Sequence, residues 1–250
     1  MLEAALWGLV GASSLLIGAV IGVKAQRLTE SAIGMIMAFG AGTLISALAF
    51  ELTEEAYRLG GADVVAIGLA AGGLAYFGGS VVIKRRHRAG GRRRSGGDDD
   101  DSGSALLLGA VLDGIPESAV IGLSLIGGGS VGVPILAAVF LSNMPEAISS
   151  SREMREHGMT TWHVLSVWAV VCLVSALAAG AGYALLEGAS DDGVGLLQAF
   201  AGGAVLTMLA DTMIPDAYNF QPESSPLARS AVGLFTVLGF ALAYLLSTLE

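Results

Sequence analysis

Two stretches of the chain, FGAGTLISALAFELTEEAY at 39–57 and FAGGAVLTMLADTMIPDAY at 200–218, align on each other without a gap. Phe39 matches Phe200, Gly42 matches Gly203, Leu48-Ala49 matches Leu209-Ala210, and Ala56-Tyr57 matches Ala217-Tyr218. Glu55 falls opposite Asp216 in that register. Small apolar residues coincide easily by chance, but an aligned Phe, Tyr and acid favour an internal repeat.

Outward from that pair the chain is a series of apolar segments. It is 54% hydrophobic and only 14% charged, carries 36 glycines, and has a mean hydropathy of +0.70. Water-soluble domains of this length rarely look so, whereas membrane helices use glycine to pack closely in lipid. Runs of 18 or more apolar residues are transmembrane candidates. Eight are expected, at Leu2–Val23, Ser31–Leu52, Asp63–Ile83, Ala105–Ile126, Val131–Ser151, Thr161–Leu186, Val194–Met213 and Leu227–Thr248. The fold class expected is an all-α integral membrane protein, residues 1–250 forming one transmembrane domain. The polar, Gly/Ser- and Asp-rich stretch 84–104 reads as a disordered cytoplasmic loop within it.

Met1-Leu2-Glu3 lacks the basic region of a signal peptide, so the first run reads as a retained helix. The lone Cys172 excludes disulfides and a Cys-built zinc site. A net charge of −9, drawn from acidic loops such as Asp98–Asp101, suggests nothing about nucleic acid.

The positive-inside rule orients the spans. With both termini outside, Lys24, Arg27, the cluster from Lys84 to Arg94, Arg152, Arg155 and Arg229 fall on the cytoplasmic side of a plasma membrane, leaving only Arg58 outside. The 39–57 stretch then runs outward and the 200–218 stretch inward, so the repeat is inverted. The order becomes three helices, a central antiparallel pair and three helices again. Inverted repeats around a midplane site mark secondary transporters.

The central pair carries the chemistry. Asp113-Gly114-Ile115-Pro116-Glu117 and Ser142-Asn143-Met144-Pro145-Glu146 each place a Pro-Glu pair inside an apolar span. A charge at that depth costs roughly 2.5–3.5 kcal/mol or more and by default marks an ion or substrate path. Proline removes a backbone bond and loosens the carbonyl four residues earlier, those of Leu112 and Leu141. Asp113 and Glu117 share one helix face, as do Ser142 and Glu146, with Asn143 flanking. Packed antiparallel, Asp113, Glu117, Asn143 and Glu146 would converge, with Ser142 beside them, as hard oxygen donors for a divalent cation. Three such carboxylates could not all ionise without a cation, which predicts competition between protons and metal. The bland alternative is a cap or a structural kink at each proline.

Glu51, followed by Glu54 and Glu55, is either an outer vestibule that gathers cations or a solvated helix end. Asp211 and Asp216 at the inner end of the seventh span either receive the ion on release or cap the helix. His87, His157 and His163 form no His-x-x-His or His-x-x-x-His pair, so a histidine zinc site is not expected.

These residues resemble the ZIP family of divalent-metal transporters. Its fourth-helix motif, typically His-Asn-x-Pro-Glu-Gly, is similar to Asp113-Gly114-Ile115-Pro116-Glu117-Ser118, and its fifth-helix motif to Ser142–Glu146. The family's second and seventh helices look like Phe50–Ala56 and Ile214-Pro215-Asp216. The resemblance implies a 3+2+3 bundle with Asp113, Glu117 and Glu146 at the transport site and Ser142 and Asn143 in an adjoining one. It also implies that the central pair moves as a unit with helices 1, 3 or other elements. Asp113 stands where the family has histidine and Gly114 where it has asparagine, which speaks against a bridged two-metal site. An oxygen-only site suits Mn²⁺, Fe²⁺ or even Mg²⁺ better than an imidazole site would, beside Zn²⁺.

The function expected is transport of divalent metal ions, which are substrate; no resident cofactor and no enzymatic activity are expected. The partners expected are those ions, the lipid bilayer and a second copy of the chain as a homodimer. The alternative is a non-transporting metal sensor or scaffold, for which an inverted repeat has no use. An intramembrane hydrolase lacks any accompanying signature around Asp113.

Overall fold

The computed structural model describes residues 1–24, 28–91, 117–118, 121–122, 125, 133–186 and 188–248. Among them every regular element is a helix: α1 Leu2–Lys24, α2 Glu30–Ala47, α3 Glu54–Gly91, α4 Val133–Glu156, α5 Thr161–Leu186, α6 Asp191–Met208, α7 Ile214–Asn219 and α8 Pro226–Ser247. Single π-helical turns, Leu48–Thr53 and Leu209–Met213, join α2 to α3 and α6 to α7. Five helical stretches among the described residues are long and apolar enough to cross a membrane, as an α-helical membrane protein requires. The 53-residue stretch Glu30–Val82 is one of them. It is broken at Gly61, whose φ of 75° lies where only glycine sits without strain. α4 is not among the five; Ser142, Asn143, Glu146 and three following serines dilute it. The expected fourth span, 105–126, lies outside the described residues except for 117–118, 121–122 and 125.

Small residues make many of the close helix contacts, beside buried large ones such as Leu15, Ile33 and Trp168. α1 buries Ala4, Gly8, Gly11, Ala12, Gly18, Ala19 and Gly22, while its Leu2, Leu6, Leu9, Val10, Ile17 and Val20 face outward. Lipid is as apolar as leucine, so close backbone approach at these small residues contributes much of the association.

Those approaches fix the directions. Gly11 meets Leu136 and Val139, Gly18 meets Ala147, and Gly22 meets Ser151, so α1 and α4 run parallel. Gly8 meets Ala176 and Ala179 while Cys172 Sγ donates to Ala12 O at 3.0 Å, so α5 runs opposite to α1. Gly40 meets Leu141 and Ser142, and Arg152 Nη1 donates to Leu28 O at 3.0 Å, so α2 runs opposite to α4. Gly195 meets Ala56 and Gly202 meets Leu48, whereas Gly68 meets Ala199 and Gly73 meets Thr207. The chain beyond Gly61 therefore doubles back and follows α6. By these directions Lys24, Arg85, Arg152, Arg155 and Arg229 sit at one end of the molecule and Arg58 at the other, the segregation read from sequence.

The helices form two groups. α1, α4 and α5 pack together, and the short segments at 117–125 join them, Ile121 against Gly11 and Gly122 against Ala179. α2 packs on α8 and α3 on α6. The groups meet along α2 and α4. α1 thus packs with α4 and the described residues 121–122, whereas α3 packs against α6 through Gly68 and Gly72. α3 also continues as helix through Lys84 to Gly91, into the stretch expected to be a disordered loop. Its Lys and Arg residues are good helix formers and favour a helix C-terminus. Residues 92–104 lie outside the described residues.

The repeat recurs in three dimensions. The N-cap Thr29 accepts from Ala32 N at 3.2 Å and Ser190, its counterpart, from Gly193 N at 3.3 Å. The two π-turns begin at the matched leucines Leu48 and Leu209. A Cβ at Gly42 would strike Thr236 O, and one at its counterpart Gly203 would strike Leu69 O. Likewise a Cβ at Gly239 would strike Phe39 O, and one at Gly72 would strike Phe200 O. Each half lends its middle helix to the last helix of the other.

Candidate metal site between the Pro-Glu segments

α4 carries Pro145 inside a continuous helix, so the carbonyl of Leu141 lacks its partner four residues on. That carbonyl faces α2: a Cβ added to Gly40 would lie 3.0 Å from it, with Met213 Cε of the second π-turn at 3.1 Å. The next residue, Ser142, faces Glu117. Its Oγ lies 3.1 Å from Glu117 Oε1 and 3.0 Å from Val139 O. Glu117 is 3% exposed, and Ser142 and Asn143 are buried beside it. Glu146, one turn beyond Ser142, is half-buried.

Glu117 is level with Ser142, and Ile121 is level with Gly11, itself beside Val139 and Leu136. Residues 117 and 121 are therefore ordered opposite to α4, with Glu117 facing the second Pro-Glu motif. Asp113, Pro116 and the Leu112 carbonyl lie outside the described residues. Among the described residues no three His, Cys, Asp or Glu side chains come together. What the structure brings together is one buried carboxylate and one hydroxyl from opposite motifs.

Glu117 also borders a crevice between the two helix groups. Its walls are Leu44, Leu48 and Leu52, Ile135 and Val139 of α4, and Val205 of α6, with Ala47. This apolar lining is not legible in the sequence, because leucines on helices apolar all round carry no sign of which way they face.

The flanking acids are distributed over the two π-turns. Glu51 is half-buried in the first, Asp211 is exposed in the second, and Asp216 is exposed in the first turn of α7. Glu54 and Glu55 lie 2.6 and 3.8 Å from Arg58, which offsets their charge at that end. His157 and His163 are exposed at the opposite end. The π-turns were not foreseen; the matched Leu-Ala pairs ahead of Glu51 and Asp211 were the available signal. Such turns occur often at functional sites. No protein-family model matches the chain, and no curated protein matches its sequence.

Proposed function

We propose that the chain is a membrane carrier of divalent metal ions, resembling the ZIP family, with its transport site between Glu117 and α4. The observation that carries this reading is Glu117: a carboxylate almost wholly buried in an apolar helical protein, met by Ser142 of the other Pro-Glu motif. Buried acids of membrane helices mark ion paths. Asn143 and Glu146 extend the oxygen set, and the Asp113-x-x-x-Glu117 spacing of the sequence makes Asp113 the further donor we assign to it.

The alternation of helix directions supports eight crossings. α3 and α4 run the same way, as an eight-span topology requires. Both termini then lie outside the plasma membrane, with the Arg-rich end in the cytoplasm. The inverted repeat and its two helix groups support alternating access, one group shifting against the other around the site.

Purified protein in liposomes, assayed for uptake of Zn²⁺, Mn²⁺, Fe²⁺ and Co²⁺, tests the reading. Glu117→Gln and Glu146→Gln are each expected to abolish uptake while eluting as folded protein. Undiminished uptake in both variants would sink the assignment.

A further inference from the structure

Gln198 of α6 is 6% exposed, and its side-chain Oε1 has no hydrogen-bond partner among the described residues. A buried acceptor forfeits its hydration and regains nothing, so such an atom calls for a ligand. The repeat supplies an internal control. Carried back from Phe39 and Phe200 to the caps, it puts Met37 opposite Gln198. The surroundings match as well. A Cβ at Gly34 would approach Ala217 O and Phe220, and one at its counterpart Gly195 would approach Ala56 O and Leu59. Met37 is buried in one core cluster with Met213 of the second π-turn. Methionine and glutamine are both unbranched and close in length, so an apolar side chain meets the packing need of this place. The amide oxygen of Gln198 is surplus to the fold.

Gly195 lies against Ala56 and Gly202 against Leu48 and Leu52, so Gln198 between them is level with the end of the first π-turn. It shares a helix face with Val205, seven residues on, and Val205 and Leu52 border the same crevice. The amide therefore lies on the Leu52 side of that turn. Glu51, next to Leu52 in the chain, is half-buried. A π-turn also interrupts the regular pairing of backbone carbonyls. In transporters built from inverted repeats, interrupted helices lend such carbonyls to the coupling cation. An amide oxygen and backbone carbonyls are neutral, and with one carboxylate they suit a small monovalent cation. A divalent ion is held by more charge, which Glu117 and the acids near it supply. We propose that Gln198 and the first π-turn, with Glu51, form a second cation site that takes Na⁺, and that this ion is coupled to metal transport. The coupling rests on the carrier reading; the site does not.

Thermal unfolding of the purified full-length protein in detergent, in Na⁺ and in choline at equal ionic strength, tests the site. Wild type should unfold about 4 °C higher in Na⁺, the shift given by an ion at some tens of times its dissociation constant. Gln198→Met loses that shift and unfolds above wild type in choline, because it removes an unmet acceptor. Gln198→Glu keeps an oxygen in place and keeps the shift, and Gln198→Leu replaces the methionine variant if that one misfolds. No Na⁺-specific shift in wild type, or an undiminished one in Gln198→Met, overturns the site. In liposomes, external Na⁺ raises Mn²⁺ uptake by wild type but not by Gln198→Met. Uptake indifferent to Na⁺ overturns the coupling alone. Absence of any Mn²⁺ uptake, with the Na⁺ shift present in wild type and lost in Gln198→Met, overturns the carrier reading and leaves the site.

Discussion

Ser142 has one hydroxyl proton and two acceptors in reach, Val139 O at 3.0 Å and Glu117 Oε1 at 3.1 Å. In the proposed metal-bound state the carboxylate oxygen would turn to the cation and the hydroxyl would keep the carbonyl of its own helix. Neither state leaves a buried donor unmade, so Glu117 is positioned without being trapped. Ser142→Ala should therefore fold normally but weaken Mn²⁺ binding about tenfold, the scale of a hydrogen bond to a charged group. Ser142→Thr should recover most of that loss, read by calorimetric titration of the purified protein. Unchanged affinity in Ser142→Ala would remove the residue from the site. The two Pro-Glu motifs were legible in the sequence because acid and proline are both expensive inside an apolar helix. That Ser142, and not Asn143, meets Glu117 was not legible. It depends on how the helices are rotated about their axes, which the close approaches at Gly40 and Gly11 decide.

At the scale of elements, the two π-turns are the feature both halves share most closely, each opening on a Leu-Ala pair and each holding an acid. A π-turn accommodates one residue more than the α-helix around it and leaves backbone groups poorly paired. Deleting Ala49, or Ala210, should give an uninterrupted α-helix whose flanking faces keep their direction. Both variants are expected to fold with wild-type helicity by circular dichroism and to lose metal uptake. Retained uptake would make the turns incidental. No residue type announces a π-turn, and only laying the halves together reveals this pair. The glycine contacts were half legible: their abundance said close packing, but not with which partner. Gly42→Ala and Gly203→Ala should each lower stability by about 1–3 kcal/mol, because the added methyl strikes a carbonyl that backbone geometry holds in place. Gly233→Ala, with nothing within 4 Å, should not. Thermal unfolding in detergent distinguishes them.

On the scale of the whole molecule, apolar helices and segregated cations made a membrane bundle readable, and the repeat made it readable as inverted. The grouping of helices was not readable. A helix apolar on every side has no face that names its neighbour, so α3 was free in sequence to stand with the central pair, and glycine fit alone places it against α6. The resulting seam between α2 and α4 is where alternating access would have to slip. At the end of that seam away from the crevice, Arg152 reaches Leu28 O. Within one group, Cys172 already lies against Ala12 of the neighbouring helix. Joining Leu28→Cys to Arg152→Cys with a short bifunctional thiol reagent, in a Cys172→Ser background, ties one group to the other without filling the crevice. Joining Ala12→Cys to the native Cys172 ties two helices that should move together. The first cross-link is expected to stop Mn²⁺ uptake until it is cleaved, and the second to leave uptake intact. Full uptake with the seam cross-linked to completion would mean that the groups do not shift against each other. A loss from the Ala12–Cys172 link alone would place the moving boundary inside the group of α1, α4 and α5.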